Sequence, residues 1–360
     1  MPIVTRLGTT DAARYLQRLQ PALAFELEAV DAAKAGHLLA VTVDGETRHL
    51  PTGRGCSYLF NSATGYTLAR DKAHTATVLQ AAGIATIPGT AFFIDPAHAR
   101  LWPSGAGRCD LPAHCAERGY PVFIKPLTGS MGDFAEVVDR PAALENYLER
   151  ITGRHDAVLV QPVIQAAREE RLIMLDGDPV ALVIKTPAIL VGDGRQTAGT
   201  LLAGLNATLQ SAGVSAVPLD ALKRAGVHAS TIVEDGAEVV LDGRHNLSGG
   251  GATSASRDVP ADIAAFGSAV LKALRLRFGA IDYFVDANMT PGSSQTSAPL
   301  LAIEVNCNPS IQALEAAGLT DMIDRLWTAI VLELFEGAPA HTFLTARANK
   351  AGLLLPRVEC

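Results

Sequence analysis

The stretch that decides the fold is Leu300-Leu301-Ala302-Ile303-Glu304-Val305-Asn306-Cys307-Asn308-Pro309. Its apolar run, Leu300 to Ile303, reads as a buried strand. The run then delivers a carboxylate and a carboxamide two positions apart. Side chains alternate along a strand, so Glu304 and Asn306 share one face. Two hard oxygen donors on one face suit Mg²⁺, which takes few protein carboxylates and completes its shell with water and substrate phosphate. A polar strand end facing water is the competing reading.

Working outward, Gly279-Ala280-Ile281-Asp282-Tyr283-Phe284-Val285-Asp286 reads as a second strand that carries an acid. Between the two strands, ANMTPGSSQTSAP is polar and low in complexity, as a hairpin tip would be. Paired in a hairpin, Asp282 lies beside Glu304 and Asn306. That gives three oxygen donors, enough for one or two Mg²⁺ shared with nucleotide phosphates.

Further upstream, YPVFIKPLTGSMGDFAEVVD places Lys125 at the end of a strand, Val122 to Ile124. A loop with Gly129, Ser130 and Gly132 follows, and the chain returns as a second strand. A small-residue turn aims several backbone N–H groups at one spot and makes an anion nest. With a lysine beside it, polyphosphate is the natural ligand. A plain glycine hairpin with a surface lysine fits the same residues. No Walker A spacing is present.

The remaining chain reads as alternating elements. Residues 11–35 carry Leu16, Leu19, Leu23 and Leu27 on roughly one helical face, and Pro21 makes this either two helices or one kinked helix. Asp44-Gly45 marks a hairpin turn, and Asp71-Lys72 opens a helix that stops at Gly83. A short helix is expected near 111–118. Ala157 to Gln161 is a buried strand. Arg168-Glu169-Glu170-Arg171 leads into a hairpin whose second strand holds Lys185, so Arg171 and Lys185 can share a sheet surface. Residues 211–230 read as irregular, and the stretch NLSGGGATSAS as a loop. A helix is expected from Asp262 to Arg277 and a last one over 320–336, followed by a loose tail.

Composition bounds the answer. The chain has 360 residues, 48% hydrophobic and 19% charged, which suits a globular protein of two or three domains. The net charge of −7 and the lack of a basic segment argue against a nucleic-acid groove or an anionic membrane as partner. Five cysteines, an odd number in a long chain, argue against a disulfide framework. The N-terminus lacks the pattern of a secretory signal, and no apolar run is long enough to span a bilayer, so the expected location is cytoplasmic.

In order, Asp71-Lys72, FIKP with its glycine loop, VLVQPVI, an arginine leading a hairpin, NLSGGG, IDYFVD and IEVNCNP resemble the ATP-grasp superfamily over about residues 60–335. AREERLIMLDGDPVALVIKTPAILVGDGRQTAGTLL and NLSGGGA look most like the ATP-grasp region of cyanophycin synthetase and bifunctional glutathione synthetase. The resemblance implies an α/β fold in several units. These are a small N-terminal α/β domain (1–70), a central lid-type subdomain (71–160), a C-terminal antiparallel-sheet subdomain with the metal site (161–345), and a tail (346–360).

The resemblance also implies roles. Lys72 and Lys125 contact nucleotide phosphates, and Ser130 and Gly132 lie in the loop that covers them. Gln161, Pro162 and Val163 form the hinge whose backbone holds adenine, with Glu169 near the ribose. Asp282, Glu304 and Asn306 ligate magnesium. Arg171, Lys185 and Asn246 lie near the γ-phosphate and the acyl intermediate. ATP and Mg²⁺, with Mn²⁺ as a substitute, are the implied cofactors. The implied activity is ATP-dependent joining of a carboxylate to an amine, both amino acids or short peptides. A non-catalytic ATP-binding regulatory protein is the alternative, and a homodimer is an admissible assembly. Ala280 stands where dipeptide ligases of this superfamily carry arginine, which weakens that reading. The chain lacks the extra domains of its two look-alikes, so a stand-alone ligase is expected.

Overall fold

The computed structural model describes residues 10–52, 58–101, 103–129, 132–164, 167–186, 188–211, 216–241, 252–286 and 300–354. An N-terminal unit holds α1 (Asp11–Leu23) and a three-stranded antiparallel sheet of β1 (Glu26–Ala29), β2 (Leu38–Val43) and β3 (Glu46–Pro51). Two helices follow, α2 (Ala63–Arg70) and α3 (Lys72–Ala81). The next unit contains β4 (Thr90–Phe93), α4 (Leu111–Arg118), β5 (Val122–Pro126), β6 (Glu136–Val138), α5 (Pro141–Ile151) and β7 (Ala157–Pro162). Its four strands form one sheet in the order β4-β7-β5-β6.

The rest of the chain is built on a five-stranded antiparallel sheet. Its strands are β8 (Ala167–Leu175), β9 (Asp178–Thr186), β12 (Ala252–Ser256), β13 (Phe278–Asp286) and β14 (Leu301–Asn306), ordered β12-β9-β8-β13-β14. Between β9 and β12 the chain inserts β10 (Ile189–Val191), α6 (Ala198–Ser211), α7 (Asp220–Arg224) and β11 (Glu238–Val240). This insertion has a small core of its own, including Leu190, Leu202, Leu222 and Val233. α8 (Ala261–Leu274) precedes β13, and α9 (Gln312–Ala316), α10 (Thr320–Leu334) and α11 (Pro339–Lys350) close the chain. Among the described residues no helix is long and apolar enough to cross a membrane.

The five-stranded sheet is covered on both faces, and strand alternation decides which side chain enters which core. Ile173, Val183, Phe278 and Ala280 face a core shared with α1, α10 and the N-terminal sheet. Leu172, Met174, Ile281 and Val305 face the other core, under α3 and α8. At Gly267 of α8 an added Cβ would stand 2.4 Å from Leu172 Cδ2 and 2.9 Å from Met174 Sδ. Only glycine lets the helix approach this closely.

Four expectations need correction. The helix expected over 11–35 ends at Leu23. Ala24 adopts a left-handed backbone (φ 54°) and donates back to Gln20 O. From there Leu27 and Ala29 alternate as a strand, so Leu27 belongs to β1 and not to the helical stripe. Pro21 sits in the last turn of one continuous helix. ATSAS is not a loop but β12, held by pairing to β9. Residues 220–224 form α7 within the stretch expected to be irregular. The expected loose tail begins with α11, which buries Ala340, Leu344 and Ala348. The helix near 111–118, the Asp44-Gly45 turn and the 282–306 hairpin are found as expected.

Candidate functional site

Asp282 sits directly across from Glu304 in the β13–β14 ladder and across from Arg171 in the β13–β8 ladder. The register shifts between Asp282 and Tyr283, a bulge of the kind that re-aims a side chain. By alternation Glu169, Arg171, Lys185, Asp282, Glu304 and Asn306 emerge on one face, contributed by four adjacent strands. The site is therefore a product of register, not of any one motif.

Asp282 is 2% exposed. Its Oδ1 accepts from Arg171 Nε at 2.7 Å and its Oδ2 from Arg171 Nη2 at 2.8 Å, the two-pronged geometry that suits guanidinium and carboxylate. Lys185 Nζ lies 3.1 Å from Oδ1 and also forms a short contact to Glu169. Asn306 Nδ2 donates to Asp282 Oδ2 at 3.3 Å and to Glu304 Oε1 at 3.1 Å. Burial alone would raise the Asp282 carboxyl. Lys185 and Arg171 outweigh it and hold the group well below the usual carboxylate range. Glu169 goes the other way: burial lifts it, and Lys185 only partly offsets that.

The two lysines expected to meet phosphate come from other elements. Asp71 caps α3, its carboxylate accepting from the N–H groups of Ala73 and His74 at 2.9 Å each. This fixes Lys72 as the first helical residue. Lys72 Nζ donates to Gly129 O at 3.2 Å and lies 3.7 Å from Glu304 Oε2, so it touches both the glycine loop and β14. Lys125 is 4% exposed on β5, beside Leu159 of β7. Burial pulls its ammonium down to about 8, against the opposing pull of the Glu304 carboxylate. Gly132 takes φ 70°, a conformation that glycine adopts without cost.

At the end of β7, Gln161 is buried and donates from Nε2 to Ile87 O at 3.1 Å, while its Oε1 has no partner among the described residues. Pro162 and Val163 continue from it, half-buried. A crevice beside Gln161 is lined by Lys72, Ile87, Leu159 and Glu304. Ser130 and Asn246 lie outside the described residues. Cys307 is buried with Sγ 3.9 Å from Tyr66 O, and burial raises its thiol, which does not suit a nucleophile.

Sequence reasoning missed the back of the site. On the opposite sheet face, Tyr283 OH donates to Glu170 Oε2 at 2.7 Å, and Arg168 donates to Glu170 Oε1 at 2.8 and 3.0 Å. Both Tyr283 and Glu170 are buried directly behind the Asp282–Arg171 pair. The signal was present as Arg168-Glu169-Glu170-Arg171, whose alternation sends two residues to each face.

The donor set can be tested against a metal. Among the described residues no group of three His, Cys, Asp or Glu side chains could hold an ion. Asp282 and Glu304 with the Asn306 amide make a hard, oxygen-based set that falls short of a full shell. By residue type that set suits a divalent cation which takes the rest of its shell from phosphate and water, although here its carboxylates are turned to Arg171, Lys185 and the Asn306 amide.

Over 233 residues the chain is 27% identical to the glutathione biosynthesis bifunctional protein GshAB of Streptococcus thermophilus, covering 58% of this chain and 30% of that protein. Over 203 residues it is 28% identical to cyanophycin synthetase of Nostoc sp., covering 52% of this chain and 20% of that one. The chain thus matches less than a third of the length of either relative. A crystal structure of a bifunctional glutathione synthetase from Pasteurella multocida shares the fold over 88% of this chain and 44% of its own, with a TM-score of 0.53 and 18% identity. No family model matches the chain.

Proposed function

We propose, from the premise that this chain is an ATP-grasp protein, that it is an ATP-dependent carboxylate–amine ligase that forms an amide bond through an acyl phosphate. The substrates are an amino acid or short peptide as acid and an amino acid as amine. The products are the amide, ADP and phosphate. The observation that carries this reading is the meeting of Lys72, Arg171, Lys185, Asp282, Glu304 and Asn306 in one contact network drawn from α3 and four strands.

A carboxylate is a poor acylating agent because its leaving group would be oxide. Attack of a carboxylate oxygen on the γ-phosphorus breaks the bond to the β-bridging oxygen and releases ADP. The amine nitrogen then attacks the acyl carbon and loses a proton, and phosphate departs with the former carboxylate oxygen. Phosphoryl transfer of this kind needs positioning and charge more than covalent help. Lys72 and Lys125 hold and screen the phosphates. Arg171 and Lys185 face the transferring group and stabilise the oxyanion of the tetrahedral intermediate. Gln161, Pro162 and Val163 border the nucleobase, and Glu169 the ribose. Asp282, Glu304 and Asn306 would hold Mg²⁺ or Mn²⁺, which when bound neutralises phosphate charge.

The deciding assay supplies ATP, Mg²⁺ and pooled amino acids, then follows phosphate release and traps the acyl phosphate with hydroxylamine. A hydroxamate that needs both ATP and an acid supports the proposal. Nucleotide binding with no phosphate release and no hydroxamate across a broad panel overturns it in favour of a regulatory ATP-binding protein.

A further inference from the structure

The metal-binding reading meets an obstacle in the geometry. Both oxygens of Asp282 are already engaged, Oδ1 by Arg171 and Lys185, Oδ2 by Arg171 and Asn306. Asn306 turns its nitrogen limb to both carboxylates, whereas only the oxygen of a carboxamide can ligate a cation. Lys72 stands at 3.7 Å from the remaining oxygen of Glu304. The carboxylates are thus satisfied by the protein's own cations and amide. A divalent ion entering this cluster would stand beside a guanidinium and an ammonium in a buried place, where screening by water is weak.

We infer that Arg171 and Lys185 are resident counter-ions of Asp282 that a divalent cation must displace, and that loading of metal and nucleotide frees both for the phosphates. The inference rests on the metal reading of Asp282, Glu304 and Asn306 given above. It adds an order to the site. Without nucleotide the displaced arginine loses its carboxylate partner and the lysine is left with Glu169, so the exchange is unfavourable and metal binds weakly. With nucleotide the phosphates accept the two cations and also ligate the metal. Metal and nucleotide therefore bind with positive coupling, and each tightens the other by the same factor. The shared carboxylate is the element that carries the coupling.

The test is Mn²⁺ binding to the full chain, read by electron paramagnetic resonance, with and without a non-hydrolysable ATP analogue. The wild type binds Mn²⁺ weakly alone and at least about tenfold more tightly with the analogue. Arg171→Met frees Asp282, so Mn²⁺ alone binds more tightly than in the wild type, on the order of tenfold. Affinity for the analogue falls in the same variant. These opposite signs separate the exchange from general loosening, which weakens both. Lys185→Met shifts both affinities the same way and serves should Arg171→Met fail to fold, as judged by its melting curve. Mn²⁺ binding no tighter in either variant than in the wild type overturns the inference. Glu304→Gln tells its failure from that of the metal reading. Loss of Mn²⁺ binding in Glu304→Gln with analogue present, and no gain in Arg171→Met, removes only the exchange. Unchanged Mn²⁺ binding in Glu304→Gln removes the metal reading and the exchange with it.

Discussion

Arg171 and Asp282 face each other across β8 and β13 and meet through two parallel hydrogen bonds of 2.7 and 2.8 Å. Asp282 is buried and Arg171 half-buried, so the carboxylate depends on its protein partners more than on water. A buried pair of this kind adds little to stability over an apolar pair, but removing one member strands the other.

Asp282→Asn therefore leaves Arg171 and Lys185 without their shared anion. It is expected to lower unfolding free energy by about 3–5 kcal/mol, read by urea denaturation at neutral pH. The sign with pH follows from the depressed Asp282 carboxyl. Its contribution is present above the ordinary carboxylate range and disappears only as acid carries the pH down through the folded value. The gap between wild type and variant should therefore narrow at strongly acid pH.

Glu304→Ala and Asn306→Ala should abolish turnover and leave the fold intact, since both side chains stand near a strand end and the Glu304 side chain is 26% exposed. Far-ultraviolet dichroism and phosphate release, measured on the same samples, separate the two effects. Near-normal turnover in both variants would remove these residues from the proposed metal site.

Lys125 gives a pH dependence of its own. Its ammonium is drawn down to about 8 by burial. It is charged, and able to screen phosphate, only below that value, so KM for ATP should rise as pH passes about 8. The unfolded chain holds the proton more tightly, so stability should increase with pH between about 8 and the ordinary lysine range. Lys125→Arg keeps the charge and should flatten the KM profile.

Tyr283→Phe deletes a hydroxyl and leaves the buried Glu170 with its bonds from Arg168. A loss of about 1–2 kcal/mol is expected from the missing bond to a charged acceptor, measured by thermal or urea unfolding. Wild-type stability in this variant would mean that the back-face contact holds nothing.

Most of the site was legible because it is written in strands. A two-residue period puts Glu304 with Asn306, and Arg171 with Glu169, on one face from the sequence alone. The pairing of Asp282 with Glu304 followed from the hairpin alone. Two things were not legible. Residues 26–29 read as helix because their apolar spacing also suits a helical stripe, and only pairing to β2 decides for strand. The engagement of Asp282 by Arg171 and Lys185 needs the side-by-side placement of β9, β8 and β13, which no local pattern encodes.

The two separate cores on either side of the five-stranded sheet also set how the molecule breathes. Amide protons in β8 and β13 lie between both cores and should exchange with solvent only when the whole chain opens, as the slowest class. The insertion between β9 and β12 rests on a small core of its own and can open by itself. Deuterium uptake should therefore divide the chain into a slow centre that carries Arg171 and Asp282 and a faster insertion over residues 188–211 and 216–241.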